Sequence, residues 1–142
     1  MRFSKYIETV NVPENKVAVF WLGQAGFALK THGGKLIAID PYLTNYVRES
    51  IPEEGDAFKR LTAPLFDPDE IAFDILLSSH EHGDHFDINA MPELMTEKTA
   101  VYANADSIAA AKAAVNGVQD MNKPGCNIIK SLQELHTEIK EK

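Results

Sequence analysis

A single cysteine, Cys126, stands among the 142 residues. No disulfide can close within the chain, and a zinc site built from several thiolates is excluded. Such a chain is expected in a reducing cytoplasm. Cys126 opens the run Cys126-Asn127-Ile128 and reads as a small apolar residue at a strand start. Long apolar runs are also missing, and nothing approaches the roughly 20 residues a membrane-spanning helix needs. The first residues, Met1 to Tyr6, carry positive charge without the apolar stretch of a signal peptide behind them. No membrane partner is expected. Basic residues are scarce: 14 Lys and Arg stand against 21 Asp and Glu, a formal net charge of −7. That balance argues against a nucleic-acid surface, which needs a basic patch. It leaves room for an anionic substrate, because a bound metal can dominate the local charge. Internal repeats and low-complexity tracts are absent. What remains, with 44% hydrophobic residues, suits one globular domain over 1–142 with a core of its own.

Histidine is scarce as well, and its placement is uneven. Of five histidines, three fall in Ser79-His80-Glu81-His82-Gly83-Asp84-His85. Neutral imidazoles and carboxylates are the ligands of zinc and related divalent metals. The cluster follows Ile75-Leu76-Leu77, a short apolar run that reads as a buried strand. An extended backbone through His80-Glu81-His82 would point both imidazoles to one side and Glu81 to solvent. Gly83 allows a sharp turn, after which Asp84 and His85 approach from another direction. Two metals roughly 3.5–4 Å apart would suit hydrolysis.

The rest of the chain supplies a frame. Residues 1–15 are polar and read as an irregular arm or an edge strand. Val17–Leu22, Phe27–Thr31 and Leu36–Asp40 read as three strands of a meander, separated by Gly23-Gln24-Ala25-Gly26 and Gly33-Gly34. Trp21, within the alternation, is expected in the core. Residues 41–70, punctuated by Pro41, Pro52, Pro64 and Pro68, form a long irregular connection of the functional kind. Arg48, Lys59 and Arg60 read there as solvated charges. Asp87 is expected to cap a short helix through Met95, with Pro92 limiting its regularity. Ala100–Ala103 reads as a strand, Asp106 as the cap of a helix over Ser107–Val115, and the segment from Cys126 to Ile129 as a strand. Residues 131–142 fit either a helix, through Ser131-x-x-Glu134, or a strand.

The six residues His80 to His85 resemble the His-x-His-x-Asp-His signature of the metallo-β-lactamase superfamily at every defined position. Val19-Phe20-Trp21-Leu22-Gly23-Gln24-Ala25-Gly26-Phe27 is similar to the N-terminal hairpin of the branch that includes the L-ascorbate-6-phosphate lactonases. Gly33 to Pro41 resembles the strand that follows, with the aspartate that closes it. The resemblance implies an α/β fold of the α+β kind: the N-terminal half of an αββα sandwich, with a mostly antiparallel or mixed sheet and flanking helices. It implies His80 and His82 as ligands of a first metal, and Asp84 and His85 as ligands of a second and as the catalytic pair. Zinc or manganese, as one or two ions, is the cofactor implied. The resemblance also makes Tyr42, Thr44, Asn45 and Tyr46, in the connection 41–70, candidates for the site rim. Asp40 matches an aspartate that supports a ligating histidine; its other reading, a strand-end carboxylate before Pro41 marking a turn, stands beside it. The implied reaction opens a lactone or related ester in a small-molecule substrate, such as a phosphorylated sugar acid. Family members supply three further ligands after the signature. His136, the only later histidine, falls short of that register and reads as an exposed residue. A second expectation follows: a truncated, catalytically silent module that binds metal or self-associates as a homo-oligomer, or one part of a split hydrolase joined by a complementing C-terminal half.

Overall fold

A computed structural model describes residues 1–110 and 129–131. Alternation sets the first strands. In β1 (Val17–Gly23), Ala18, Phe20 and Leu22 turn toward the core while Val17, Val19 and Trp21 face outward. β1 pairs antiparallel with β2 (Gly26–Thr31), and β2 pairs antiparallel with β3 (Leu36–Ile39). The β1–β2 turn runs through Gly23 at φ 93° and Gln24 at φ 50°. Left-handed backbone is free to glycine and costly elsewhere; at Gln24 the Trp21 indole donates a 2.9 Å hydrogen bond to the carbonyl and braces it.

Pairing then changes sense. β4 (Ile75–Leu77) lies parallel to β3, β5 (Ala100–Ala103) parallel to β4, and β6 (Ile129–Ser131) parallel to β5. The sheet is mixed, six strands in chain order. Parallel neighbours need crossover connections. Residues 41–74 make the first, carrying α2 (Tyr46–Ser50) and two 3-10 turns, and residues 78–99 make the second. Both crossovers leave the sheet from the C-terminal ends of their strands, which brings Asp40 and the histidine loop to one edge. The core gathers Leu22, Ala28, Ala38, Leu76 and Val101 from the sheet with Phe73, Phe86, Met91 and Leu94 from the connections. Among the described residues, no helix is long and apolar enough to cross a membrane.

Four local expectations are corrected. Residues 3–9, expected as an irregular arm or edge strand, form helix α1 (Phe3–Thr9). Phe3 and Ile7 lie four apart, so one helical face is apolar. Ile7 is fully buried, and the Phe3 ring meets Phe20 at 6.0 Å and Phe66 at 6.4 Å. The buried Lys30 ammonium donates to the carbonyls of Glu8 and Val10 at the helix end, a cation where the helix presents unpaired carbonyls. The helix after β5 begins at residue 105, and its cap is Asn104, not Asp106: Asn104 Oδ1 accepts from the Ser107 amide at 2.8 Å. Residues 88–94 form successive turns and not the short helix expected; Pro92 lacks the amide that a regular helix would use. Trp21, expected in the core, is 62% exposed, because alternation with the buried Leu22 puts it on the outer face. Cys126, His136 and most of the expected Ser107–Val115 helix lie outside the described residues.

Candidate metal centre

β4 ends at Leu77, and the chain bends through 79–82. The strand does not continue through His80-Glu81-His82, as alternation would require. The cause is Asp40. Its backbone sits at φ 46°, a conformation that costs a non-glycine residue energy and persists where contacts hold it. Here the contacts are strong. The Asp40 amide donates to Leu77 O at 2.9 Å, extending the β3–β4 ladder. Its Oδ1 accepts from the Ser79 amide at 2.7 Å and Oδ2 from the Ser79 hydroxyl at 2.6 Å. Gly26 makes this possible, since a Cβ there would stand 2.9 Å from Asp40 O.

The buried Asp40 carboxylate also meets His85, with Oδ2 2.9 Å from Nδ1. A carboxylate facing Nδ1 fixes the proton there and leaves Nε2 with a free lone pair. The Ser79 hydroxyl, whose hydrogen goes to Asp40, lies 3.0 Å from His80 Nδ1 and accepts from it. His80 Nε2 is then bare by the same logic. This is the arrangement that orients ligating histidines in metal sites. Asp40 both bends the chain at the end of β3 and meets a histidine.

The three imidazoles and the Asp84 carboxylate lie near one another. The His80 ring centroid lies 4.7 Å from that of His82 and 3.9 Å from that of His85. His85 Nε2 stands 3.8 Å from Asp84 Oδ2. Two ligands each about 2.1 Å from one ion are separated by about 3.4 Å at a tetrahedral angle and by about 4.2 Å at most. Asp84 and His85 therefore fit one cation as a pair. Among the described residues, no group of three such donors encloses a single point. The set fits a divalent metal in kind and as a pair, short of a closed shell. Glu81 is exposed, as expected. Its own amide first, then the Asn104 side chain, hold its carboxyl below the ordinary range.

Asp87 does more than the expected cap. It is fully buried. Oδ1 accepts from the Ala90 amide at 3.2 Å, as a cap would. Oδ2 accepts from the amides of Leu43 and Thr44 at 2.9 and 2.8 Å, and the Thr44 hydroxyl donates to Oδ1 at 2.8 Å. Asp87 thus ties the connection after β3 to the histidine loop. The tie brings Tyr46 onto Gly83, where an added Cβ would stand 2.7 Å from the ring. Gly83 serves this close approach, since its φ is not positive. No spacing rule in the sequence distinguishes this use of Asp87 from an ordinary cap.

Beside the histidine loop opens a cleft of about 860 Å³, walled by Trp21, Tyr42, Lys59, Arg60, His82 and Asp84 among others. Tyr42 is 1% exposed, and its hydroxyl completes no hydrogen bond although the Val47 amide approaches it. Burial raises the Tyr42 hydroxyl above its ordinary value near 10. Arg60, expected as a solvated charge, is half-buried. It lies 4.6 Å over the Tyr42 ring and donates to Tyr42 O at 2.6 Å. Arg48 pairs with Asp56 at 3.4 Å. Thr44 is occupied by Asp87, and Asn45 is exposed.

Residues 18–134 match the family described as beta-lactamase superfamily domain. A metal-dependent hydrolase of Polynucleobacter asymbioticus is 32% identical over 112 residues, covering 74% of this chain and 34% of that protein. One from Cupriavidus metallidurans is 43% identical over 70 residues, covering 49% of this chain and 20% of that protein. A third, from Cupriavidus necator, is 39% identical over 70 residues, with the same coverage. The chain spans between about a fifth and a third of the length of these relatives. The match over 18–134 takes in the hairpin, Asp40 and the histidine loop together, and the chain belongs to the metallo-β-lactamase superfamily.

Proposed function

We propose that this chain carries the histidine-loop part of a metal-dependent hydrolase acting on a small molecule, with an ester or lactone as the bond broken. The observation behind the reading is the Asp40–His85–Asp84 line. A buried carboxylate holds His85 in the tautomer that presents Nε2 beside a second carboxylate, at a distance suited to one shared cation. His80, His82, Asp84 and His85 would hold the metal. Zinc is the default, and manganese is suited by the same carboxylate and imidazole donors. A bound divalent cation would supply Lewis acidity toward an ester carbonyl and toward an attacking water. The chain's own residues supply the rest. Asp40 and Ser79 hold the Nδ1 protons of His85 and His80 and leave each Nε2 free. Asp87 fixes Leu43 and Thr44, the residues that follow Tyr42 of the cleft wall. The likeness of the Trp21–Gly26 hairpin to the lactonase branch supports a lactone, such as that of a phosphorylated sugar acid. The single cysteine suits a cytoplasmic setting.

Elemental analysis of the purified chain, with a panel of lactones and phosphoesters, tests the reading. Bound divalent metal that is lost in a His80→Ala, His82→Ala double variant, together with turnover of a lactone, is the expected result. Unchanged metal content in that variant would defeat the ligand assignment.

A second reading has its own support. The outer sheet face shows Val19, Trp21 and Phe27 exposed, with Leu29, Ile37, Ile39 and Leu77 half-buried. An apolar face of this extent favours association with a second copy or with a complementing half. In that reading the chain is one part of a split hydrolase or a silent module. Light scattering that finds a strict monomer would count against it.

A further inference from the structure

The cleft beside the histidine loop joins three chemistries on one wall. Trp21 is exposed on it although the next residue of its strand, Leu22, is buried. Its indole N–H is already used on Gln24 O, which fixes the ring plane at the hairpin tip. Arg60 is also fixed. Nε donates to Thr62 O at 3.2 Å, Nη1 donates to Tyr42 O at 2.6 Å, and the guanidinium rests on the Tyr42 ring. Its Nη2 reaches the hairpin tip, 3.5 Å from where a Cβ on Gly23 would stand. Among the described residues, no carboxylate forms an ion pair with Arg60, whereas Arg2, Lys35 and Arg48 each have an acidic partner. Lys59 adds a second positive charge to the same wall. A guanidinium whose stem is held by backbone carbonyls, with Nη2 left for a ligand, is preorganised for a carboxylate or phosphate. An aromatic face fixed beside it suits a flat or unsaturated ring.

We propose that Arg60 and Trp21 form an anion-plus-ring subsite, so that the cleft takes small substrates carrying a carboxylate or phosphate next to a flat ring. The subsite rests on the hydrolase reading for the word substrate, though not for binding itself. In a chain of net charge −7, it concentrates positive charge where an anion must enter, and Arg60 is its specificity-determining residue.

Trp21 is the only tryptophan in the chain, so its fluorescence reports on the cleft wall. The test titrates chelator-treated protein with phenyl phosphate, benzoate and benzyl alcohol, following emission and checking heat release by calorimetry. Saturable change with at least one of the two anions, at least tenfold tighter than with benzyl alcohol, is expected; which anion binds tighter identifies the group. Arg60→Gln should weaken that binding at least tenfold. Arg60→Lys, which keeps the charge and loses the fork, should recover only part of it. Equal binding of the alcohol and both anions, or unchanged affinity in a folded Arg60→Gln, would overturn the proposal. If Arg60→Gln is misfolded by circular dichroism, Arg60→Lys carries the test: wild-type affinity in that variant overturns the proposed role of the held guanidinium, and weakening supports it. Metal binding and lactone turnover are read on separate samples. Loss of the subsite with turnover intact leaves the hydrolase reading standing, and the reverse pattern leaves the subsite standing.

Discussion

Replacing Asp87 by Asn separates two roles that the sequence alone merges. If Asp87 were only a cap for the turn at 88–91, Asn would serve almost equally, within a few tenths of a kcal/mol. The structure asks more of it. Oδ2 receives two backbone amides from Leu43 and Thr44, while Oδ1 receives the Ala90 amide and the Thr44 hydroxyl. An asparagine has one oxygen and one NH2. With its oxygen at the Oδ2 place, the NH2 faces the Ala90 N–H and leaves that donor unpaired. With the oxygen at the Oδ1 place, the NH2 faces two amides. The first placement is better. It costs one orphaned buried amide, about 1–3 kcal/mol, and reduces two charge-assisted bonds to neutral ones, about 1 kcal/mol in all. A loss of about 2–4 kcal/mol is therefore expected. Urea unfolding followed by circular dichroism measures it. At a slope of about 1.5 kcal/mol per molar, the midpoint should fall by roughly 1.3–2.7 M. A midpoint within about 0.3 M of wild type, the shift that simple cap replacement allows, would refute the tie between the two loops.

Three other outcomes are expected. Asp40→Asn should flip His85 to the Nε2–H tautomer, since an amide at the Oδ2 place donates to Nδ1 where the carboxylate accepted; nitrogen chemical shifts of the histidine rings report it, and an unchanged pattern would contradict the assigned network. Glu70 is held below its ordinary carboxyl range, first by the Ser4 hydroxyl and then by the Asp67 amide. A depressed folded-state value stabilises above the unfolded value and is lost as pH falls through the folded one. Melting temperature should thus decline below about pH 5, and Glu70→Gln should flatten the decline; equal slopes would remove Glu70 from the acid transition. Excess chelator should lower the melting temperature of metal-loaded protein, because a ligand at about 100 times its Kd adds about 2.7 kcal/mol. His85→Ala should make the protein indifferent to chelator, and a persisting shift would move the metal elsewhere.

The meander and the parallel strands were legible because each has its own signature. Val17–Gly23 is a run rich in β-branched and aromatic residues and closed by glycine, and Ile75–Leu77 is a short apolar run before polar residues. The histidine loop was legible because imidazoles are rare and were concentrated in one bend. What could not be read was contact across the chain. α1 has only Phe3 and Ile7 to mark its apolar face, and their partners Phe20 and Phe66 are distant in sequence. Arg60 resembles any loop arginine until Tyr42 is folded beneath it. Trp21 followed the strand period faithfully, but the period fixes only that neighbours oppose each other, not which face the core takes. Gly83 announced a turn, which 83–85 make, but not the Tyr46 ring packed on its bare backbone.

The change from antiparallel to parallel pairing at β3 is what makes one site from these scattered residues. In an antiparallel pair, the end of one strand lies beside the start of the next. Had β4 paired that way with β3, Asp40 and Ser79 would stand at opposite edges of the sheet. The parallel register Ile37 to Ile75 and Ile39 to Leu77 places them at the same edge. The Asp40 carboxylate, one residue past the last pair, then closes on Ser79, two residues past it. Ligand sites in sheets of this kind gather at carboxyl ends of parallel strands. Here the reason is visible at the level of single bonds. The ladder continues through Asp40 N to Leu77 O, and the side chain takes over where the backbone leaves. The same carboxylate that ends β4 selects the His85 nitrogen that faces Asp84. The stop signal of the strand and the orienting group of the metal centre are one residue, so a substitution at Asp40 should disturb local folding and His85 orientation together.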